Sequence, residues 1–337
     1  MTDLLLSVKN LQVELTTRRE IVHPVANVSF DLGQGETLGI VGESGCGKSM
    51  MLRTLLGLLP RGGKVTGGQI VFQGTDLLTL SPQELRDVRG RSIGMIFQEP
   101  MTALNPVMQV GAQIAEGPIS HLGLTKKAGR QRALELMQQV GIPDAPRRFR
   151  AYPSELSGGM RQRVMIAIAL SCEPKLILCD EPTTALDVTI QDQILKLLIE
   201  LQESTGISLI FVSHDLAVVS QICQRVAVMY AAEVVETGSV ASVLASPTHP
   251  YTLGLLRAVP DFDNVKAALE SIPGIPPSLV DPPVGCRFRT RCEFAQEDCA
   301  VGEFPLAFDG DHATSCIHPD SCTAAALADP IIGSRAR

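Results

Sequence analysis

Eight consecutive residues, Gly42-Glu43-Ser44-Gly45-Cys46-Gly47-Lys48-Ser49, match the pattern GxxxxGK[ST], an arrangement suited to holding a polyphosphate. Glycine allows the tight curvature that aims successive backbone N–H groups at phosphate oxygens, and a following helix N-terminus favours the anion. Lys48 is placed to neutralise β- and γ-phosphate charge, and the Ser49 hydroxyl to ligate Mg²⁺. The candidate phosphate contacts are Gly42, Ser44, Gly45, Cys46, Gly47, Lys48, Ser49 and Met50, the last just inside the helix. An ordinary glycine-rich turn is the competing reading; the strand before the motif and the helix after it argue against that.

A second constellation is Leu176-Ile177-Leu178-Cys179-Asp180-Glu181-Pro182, where an apolar strand delivers two adjacent carboxylates to its end. Asp180 is suited to hold Mg²⁺ through water, and Glu181 to polarise an attacking water as general base. A solvated turn can also carry two acids, but the phosphate loop upstream gives the chemical reading its weight. Far downstream, Cys286, Cys292, Cys299 and Cys316 are separated by five, six and sixteen residues. Four thiolates can bind zinc or an iron–sulfur cluster, and four unligated thiols are a third reading. The paired CxxC knuckles favoured by structural zinc are missing. Cys322 is spare by this count, while Cys172, Cys179 and Cys223 sit in apolar surroundings and read as packing residues.

These groups need strands and helices to hold them. Thr37–Val41 reads as a buried strand feeding the phosphate loop, and 49–59 as a helix stopped by Pro60 and Gly62-Gly63. Further buried strands are expected at 92–97, 176–179, 208–213 and 225–230, with helices at 130–140 and 161–170 between them. The result is an α/β fold with a parallel sheet, beside which 68–72 suits an antiparallel strand. After about residue 260 prolines cluster, at Pro273, Pro276, Pro277, Pro282 and Pro283, and large aliphatics thin out. The expected division is 1–260 as the main domain, 261–285 as a linker, 286–322 as a cysteine-rich module and 323–337 as a tail. So small a module needs a metal to fold.

The 337 residues carry a formal net charge of −7, which disfavours nucleic acid as a partner. No run approaches the roughly 18 apolar residues of a membrane-spanning helix, and the first residues lack the pattern of a secretory leader. A cytosolic protein is the expectation. Nine cysteines in a reducing compartment point to metal or redox chemistry rather than to a disulfide framework.

Leu156-Ser157-Gly158-Gly159-Met160-Arg161-Gln162-Arg163 resembles the LSGGQ signature of ATP-binding cassette proteins. Gln98 looks like that family's Q-loop glutamine, Ala185-Leu186-Asp187 its D-loop, and His214 its switch histidine. The resemblance covers about residues 4–260. It implies a P-loop NTPase cassette with a RecA-like parallel-sheet core, an antiparallel β subdomain and a helical signature subdomain, here followed by a small C-terminal metal-binding module. It also implies ATP as ligand with Mg²⁺ on Ser49, Gln98 and Asp180, hydrolysis by Glu181 with His214 on the γ-phosphate, and head-to-tail pairing of two cassettes. In such a pair Ser157, Gly158, Gly159 and Gln162 face the ATP of the opposite cassette and Asp187 crosses the interface. Cassettes usually stack adenine on an aromatic residue after the first strand. Residues 12–29 contain none, and Val22 and His23 stand nearest by position.

Glu99-Pro100-Met101-Thr102-Ala103-Leu104-Asn105-Pro106, Thr183-Thr184-Ala185-Leu186-Asp187-Val188-Thr189 and His249-Pro250-Tyr251-Thr252 together look like the dipeptide, oligopeptide and nickel importer ATPases of bacteria. That resemblance implies two transmembrane permease subunits contacted through 99–106, a second, paralogous ABC ATPase, and indirectly an extracytoplasmic substrate-binding protein. It places the chain peripherally on the cytoplasmic face of the inner or plasma membrane. Dipeptide importer ATPases carry a comparable four-cysteine motif associated with a [4Fe–4S] cluster, which the resemblance sets on Cys286, Cys292, Cys299 and Cys316, with zinc as the alternative. A soluble ABC ATPase acting on DNA or ribosomes is the rival reading, disfavoured by acidity and by the lack of an extended heptad pattern.

Overall fold

The computed structural model describes residues 3–184, 186–258 and 271–329. In chain order its strands are β1 (Leu4–Thr16), β2 (Ile21–Gly33), β3 (Thr37–Val41), β4 (Gly63–Phe72), β5 (Thr75–Asp76), β6 (Ile93–Ile96), β7 (Leu176–Asp180), β8 (Ser208–Ser213), β9 (Arg225–Tyr230), β10 (Glu233–Ser239), β11 (Ala307–Asp309) and β12 (His312–Thr314). The helices are α1 (Lys48–Leu55), α2 (Pro82–Val88), α3 (Pro100–Ala103), α4 (Val110–Leu122), α5 (Lys126–Gln139), α6 (Ala145–Arg148), α7 (Gly158–Leu170), α8 (Val188–Thr205), α9 (Leu216–Ile222), α10 (Val240–Ala245), α11 (Pro250–Arg257) and α12 (Pro319–Ala328). They fall into two units.

The first unit takes Leu32–Thr37 and Asp76–Val212 with the first residues of the chain. β6, β7 and β8 run parallel in it, Ile93 opposite Leu176 and Leu176 opposite Ser208. Every residue of β7 and β8 is buried, the continuous apolar pattern of strands covered on both faces. Helix α8 shows how sequence and position agree. Asp187 caps its N-terminus by accepting from the Ile190 N–H, and Gly206 ends it at φ +67°. Its buried residues Ile194, Leu197, Leu198 and Leu201 recur at helical spacing on one face. Around α4 to α7, Gly111 lies so close to the Phe149 ring that a Cβ would sit 2.1 Å from it.

Leu6–Asp31, Leu38–Thr75 and the described residues from Ser213 onward form the second unit. β3 and β9 are parallel, β9 and β10 antiparallel, and β12 continues the antiparallel pairing from β10 to β11. The sheet is therefore mixed, where the sequence suggested parallel strands with one antiparallel neighbour. β4 does pair antiparallel with β1, in a four-stranded sheet ordered β2-β1-β4-β5. Cysteine-bearing residues after 285 are tied to this unit by β12, since Thr314 pairs with Glu236 and Ala313 with Thr237.

Candidate nucleotide site and cysteine cluster

β3, all five residues buried, ends at Val41 and gives way to the loop 42–47. Gly47 adopts φ +108° directly before α1, and a Cβ there would lie 1.9 Å from the Pro24 carbonyl oxygen. Gly42 is equally confined, its notional Cβ 2.1 Å from the Met229 oxygen. Only glycine fits where backbone approaches backbone so closely. Lys48 is 4% exposed; its Nζ donates to the Gly42 oxygen at 2.7 Å and the Glu43 oxygen at 3.0 Å. A positive charge is thus held among main-chain groups at the opening of a helix, a setting that favours a phosphate. Cys46 is buried, and burial pushes its thiol up, so it is held neutral within the loop. His214, exposed, occupies the turn between β8 and α9 in the same unit, where Asp215 caps α9 by accepting from Ala217.

In the other unit, Asp180 ends β7 with no exposed surface and Glu181 follows at φ +45°. A left-handed glutamate is sparsely populated backbone, and such conformations gather at functional sites. The Glu181 N–H donates to the Val212 oxygen of β8, which fixes the bend. Its Oε2 accepts from Gln98 Nε2 at 3.3 Å and Thr184 Oγ1 at 2.9 Å. The two sequence-predicted groups Gln98 and Glu181 therefore meet, and Thr184, part of the marker 183–189 but given no role there, braces the same oxygen.

Ser157 is the N-cap of α7, its Oγ accepting from the Met160 N–H, and it stays exposed. Gly158 and Gly159 follow at the turn; a Cβ on Gly159 would meet the Ile190 side chain at 2.8 Å, so the signature turn rests on the start of α8. Gln162 is 1% exposed and lies inside this unit. Asp187 is engaged as the α8 cap. Ala185 lies outside the described residues.

The segment His249-Pro250-Tyr251-Thr252 does its work under the phosphate loop. Tyr251 is fully buried and its Oη accepts from the Glu43 N–H at 2.7 Å. Arg291, beside Cys292, reaches the Glu43 carboxylate through two guanidinium nitrogens at 2.7 and 2.9 Å. Buried Glu236 accepts from the N–H groups of Thr248 and His249 and meets His312 Nε2 at 2.7 Å. The His23 N–H, near the expected adenine position, donates to the Leu279 oxygen.

Cys286, Cys292, Cys299 and Cys316 line one small cavity of about 20 Å³, with Phe288 and Phe294 among the walls. Burial pushes the Cys292 and Cys316 thiols up to about 11 and raises Cys286 as well, so these sulfurs need a cation to become thiolates. Among the described residues, the one set of three ligand atoms within 4.8 Å of one another is Asp298, Cys299 and His318. No three cysteine sulfurs close that tightly, whereas tetrahedral zinc with sulfur at ~2.3 Å needs them within about 4 Å. Cys322 is buried in α12, apart from this lining. Cys172, Cys179 and Cys223 are buried, as expected of packing residues.

Known proteins are similar to this chain over most of its length. A family model described as ABC transporter matches residues 25–184, and one described as the oligopeptide/dipeptide transporter C-terminal region matches residues 235–299. The Bacillus subtilis dipeptide transport ATP-binding protein DppD is 52% identical over 288 residues, covering 85% of this chain and 86% of its own length. The oligopeptide transport ATP-binding protein OppD of the same organism is 47% identical, over 94% of this chain and 90% of its own. Among solved structures, the ATP-binding cassette MJ0796 in a dimeric post-hydrolysis state with ADP and Pi superposes with a TM-score of 0.63 at 30% identity, over 70% of this chain and 98% of that one. On the strength of that identity over most of its length, the chain belongs to the ATP-binding subunits of the ABC transporters, in the branch that carries the oligopeptide/dipeptide transporter C-terminal region.

Proposed function

We propose that this chain hydrolyses ATP to power import of dipeptides or oligopeptides through a separate membrane protein. The observation that carries the reading is its identity, over most of both chains, with dipeptide and oligopeptide transport ATP-binding proteins. The partners are two permease subunits and a paralogous ATPase, with an extracytoplasmic receptor acting on the permeases. No helix among the described residues is long and apolar enough to cross a membrane, which suits peripheral attachment to its cytoplasmic face. The cassette occupies 1–260, a linker 261–285, and the cysteine module 286–322, with 323–337 as a tail.

In this mechanism the loop 42–47 and the N-terminus of α1 bind the phosphates, and Lys48 leaves its main-chain partners to neutralise them. Ser49, Gln98 and Asp180 would hold Mg²⁺, which would supply charge neutralisation to the phosphates. Glu181 accepts a proton from the attacking water, and Gln98 and Thr184 aim its carboxylate. His214 contacts the γ-phosphate. Ser157, Gly158 and Gly159 complete the ATP site of the opposing cassette, with Asp187 at the shared interface, whereas Gln162, expected beside them, is buried within its own chain and supports the turn from behind. The exposed side chains of Met101 and Val107, in and beside the segment 99–106, supply apolar contact for a permease.

A [4Fe–4S] cluster suits the four cysteines better than zinc does, since their sulfurs share an apolar-walled pocket without the close approach of a tetrahedral Zn²⁺ site. Cys286, Cys292, Cys299 and Cys316 would hold it, and it would cross-link a segment with little core of its own. The functional test is affinity isolation from membranes of cells expressing a tagged Glu181→Gln chain. Recovery of two permeases and a sister ATPase supports transport; recovery of ribosomes or DNA instead overturns it.

A further inference from the structure

The C-terminal cysteine-bearing segment contributes a residue to the phosphate loop itself. Arg291 is 3% exposed in its side chain, and every guanidinium N–H finds an acceptor. Its Nε donates to the Pro273 oxygen at 2.8 Å, one terminal nitrogen to Glu43 Oε2 at 2.7 Å and to Tyr230 Oη at 3.3 Å, and the other to Glu43 Oε1 at 2.9 Å and the Ile272 oxygen at 3.4 Å. Glu43 is the second residue of the phosphate loop. Its N–H is held by Tyr251 Oη, its carbonyl oxygen by Lys48 Nζ, and its carboxylate by Arg291, so backbone and side chain are fixed together. Such a fork fixes orientation as well as distance, which a point charge does not.

We infer that Arg291 is a positioning residue for nucleotide binding, holding the phosphate loop in its binding shape through Glu43 and so making the C-terminal segment part of the nucleotide site. The inference rests on reading 42–49 as the phosphate site. Arg291 touches no nucleotide in this scheme; it acts through Glu43 alone.

The pair is tested on the full-length chain by calorimetric titration with ATP and Mg²⁺ of four proteins: the parent, Arg291→Gln, Glu43→Gln and the double variant. Each single variant should weaken binding about tenfold, the scale of a lost hydrogen bond to a charged group. The double variant should be no weaker than about twice the worse single one, because both substitutions break the same link. Either single variant binding within twofold of the parent, or effects that multiply, overturns the inference. A parent that binds no nucleotide would instead overturn the phosphate-loop reading. Should Arg291→Gln fail to fold, Glu43→Asp against Glu43→Gln decides: partial recovery with aspartate supports the charge link, and equal affinity overturns it.

Discussion

The Gln98 side-chain amide donates to Glu181 Oε2 at 3.3 Å across 83 residues of sequence, and the Thr184 hydroxyl donates to the same oxygen. Both donors converge on one carboxylate oxygen and so turn the carboxylate toward one direction. Glu181→Gln should bind ATP like the parent and lose about 10²–10⁴-fold in turnover, the scale of a general base. Gln98→Ala should lose less, because Thr184 still holds the carboxylate. Phosphate release measured beside nucleotide affinity checks both; a Glu181→Gln protein with near-parental turnover sinks the assignment.

Gly47→Ala places a methyl group 1.9 Å from the Pro24 oxygen, with φ at +108°. Relief requires the strand-to-helix turn to move, so the substitution should abolish nucleotide binding and cost about 2–4 kcal/mol of stability. At Gly45, φ is +80° but no atom lies within 4 Å of the notional Cβ. Gly45→Ala therefore bears the backbone strain alone and should cost about 1 kcal/mol. Denaturant unfolding of the two proteins separates the clash from the strain.

Two histidines on one carboxylate give the fold opposite responses to pH. Burial holds His249 down from 6.5 to about 4, whereas in the unfolded chain it titrates near its ordinary value. Between these values the unfolded chain binds a proton that the folded chain refuses, so stability is intact above about pH 6.5 and falls toward pH 4, by about 3 kcal/mol in all. For His312 the hydrogen bond to Glu236 raises the imidazole above 6.5. Its contribution is complete below about pH 6.5 and fades as pH rises through the folded value. Thermal unfolding between pH 4.5 and 9 should show a flatter acid limb for His249→Gln and a flatter alkaline limb for His312→Gln. An unchanged acid limb in His249→Gln excludes the first.

Where local pattern decides structure, the sequence was readable. β8 and β9 match the expected strands residue for residue, and β3 ends where the phosphate loop begins. Helix α1 is shorter than the expected 49–59, because Gly57 turns left-handed at φ +60° before Pro60 is reached. Helix α4 carries Pro118 inside it, where proline normally marks an end. The antiparallel strands β11 and β12 leave no alternation to read because they are only three residues each. At the site, motif spacing singles out Lys48 and Glu181 and the family resemblance adds Gln98, but nothing local announces that Arg291 lies against Glu43, 248 residues away. Tyr251 was visible only as part of a family marker, and its bond to the Glu43 N–H gives that marker a physical reason.

The cysteine cavity leads to the last prediction. Cys286, Cys292, Cys299 and Cys316 line one apolar pocket, yet no three of their sulfurs come within 4.8 Å of one another. A zinc site needs shorter separations, so if the proposed cluster is held there, protein purified without oxygen should carry about four irons and four sulfides per chain and little zinc, and iron-free protein would overturn it. Replacing all four cysteines with serine should remove that iron. Cys292 directly follows Arg291, so the same variant should loosen the guanidinium from Glu43 and weaken ATP binding severalfold while leaving the Glu181 carboxylate and its donors untouched. The expected kinetic signature is a raised KM for ATP with kcat nearly preserved. A matching fall in kcat with KM unchanged would mean that the cluster acts elsewhere than at the phosphate loop, and zinc in place of iron would overturn the cluster itself.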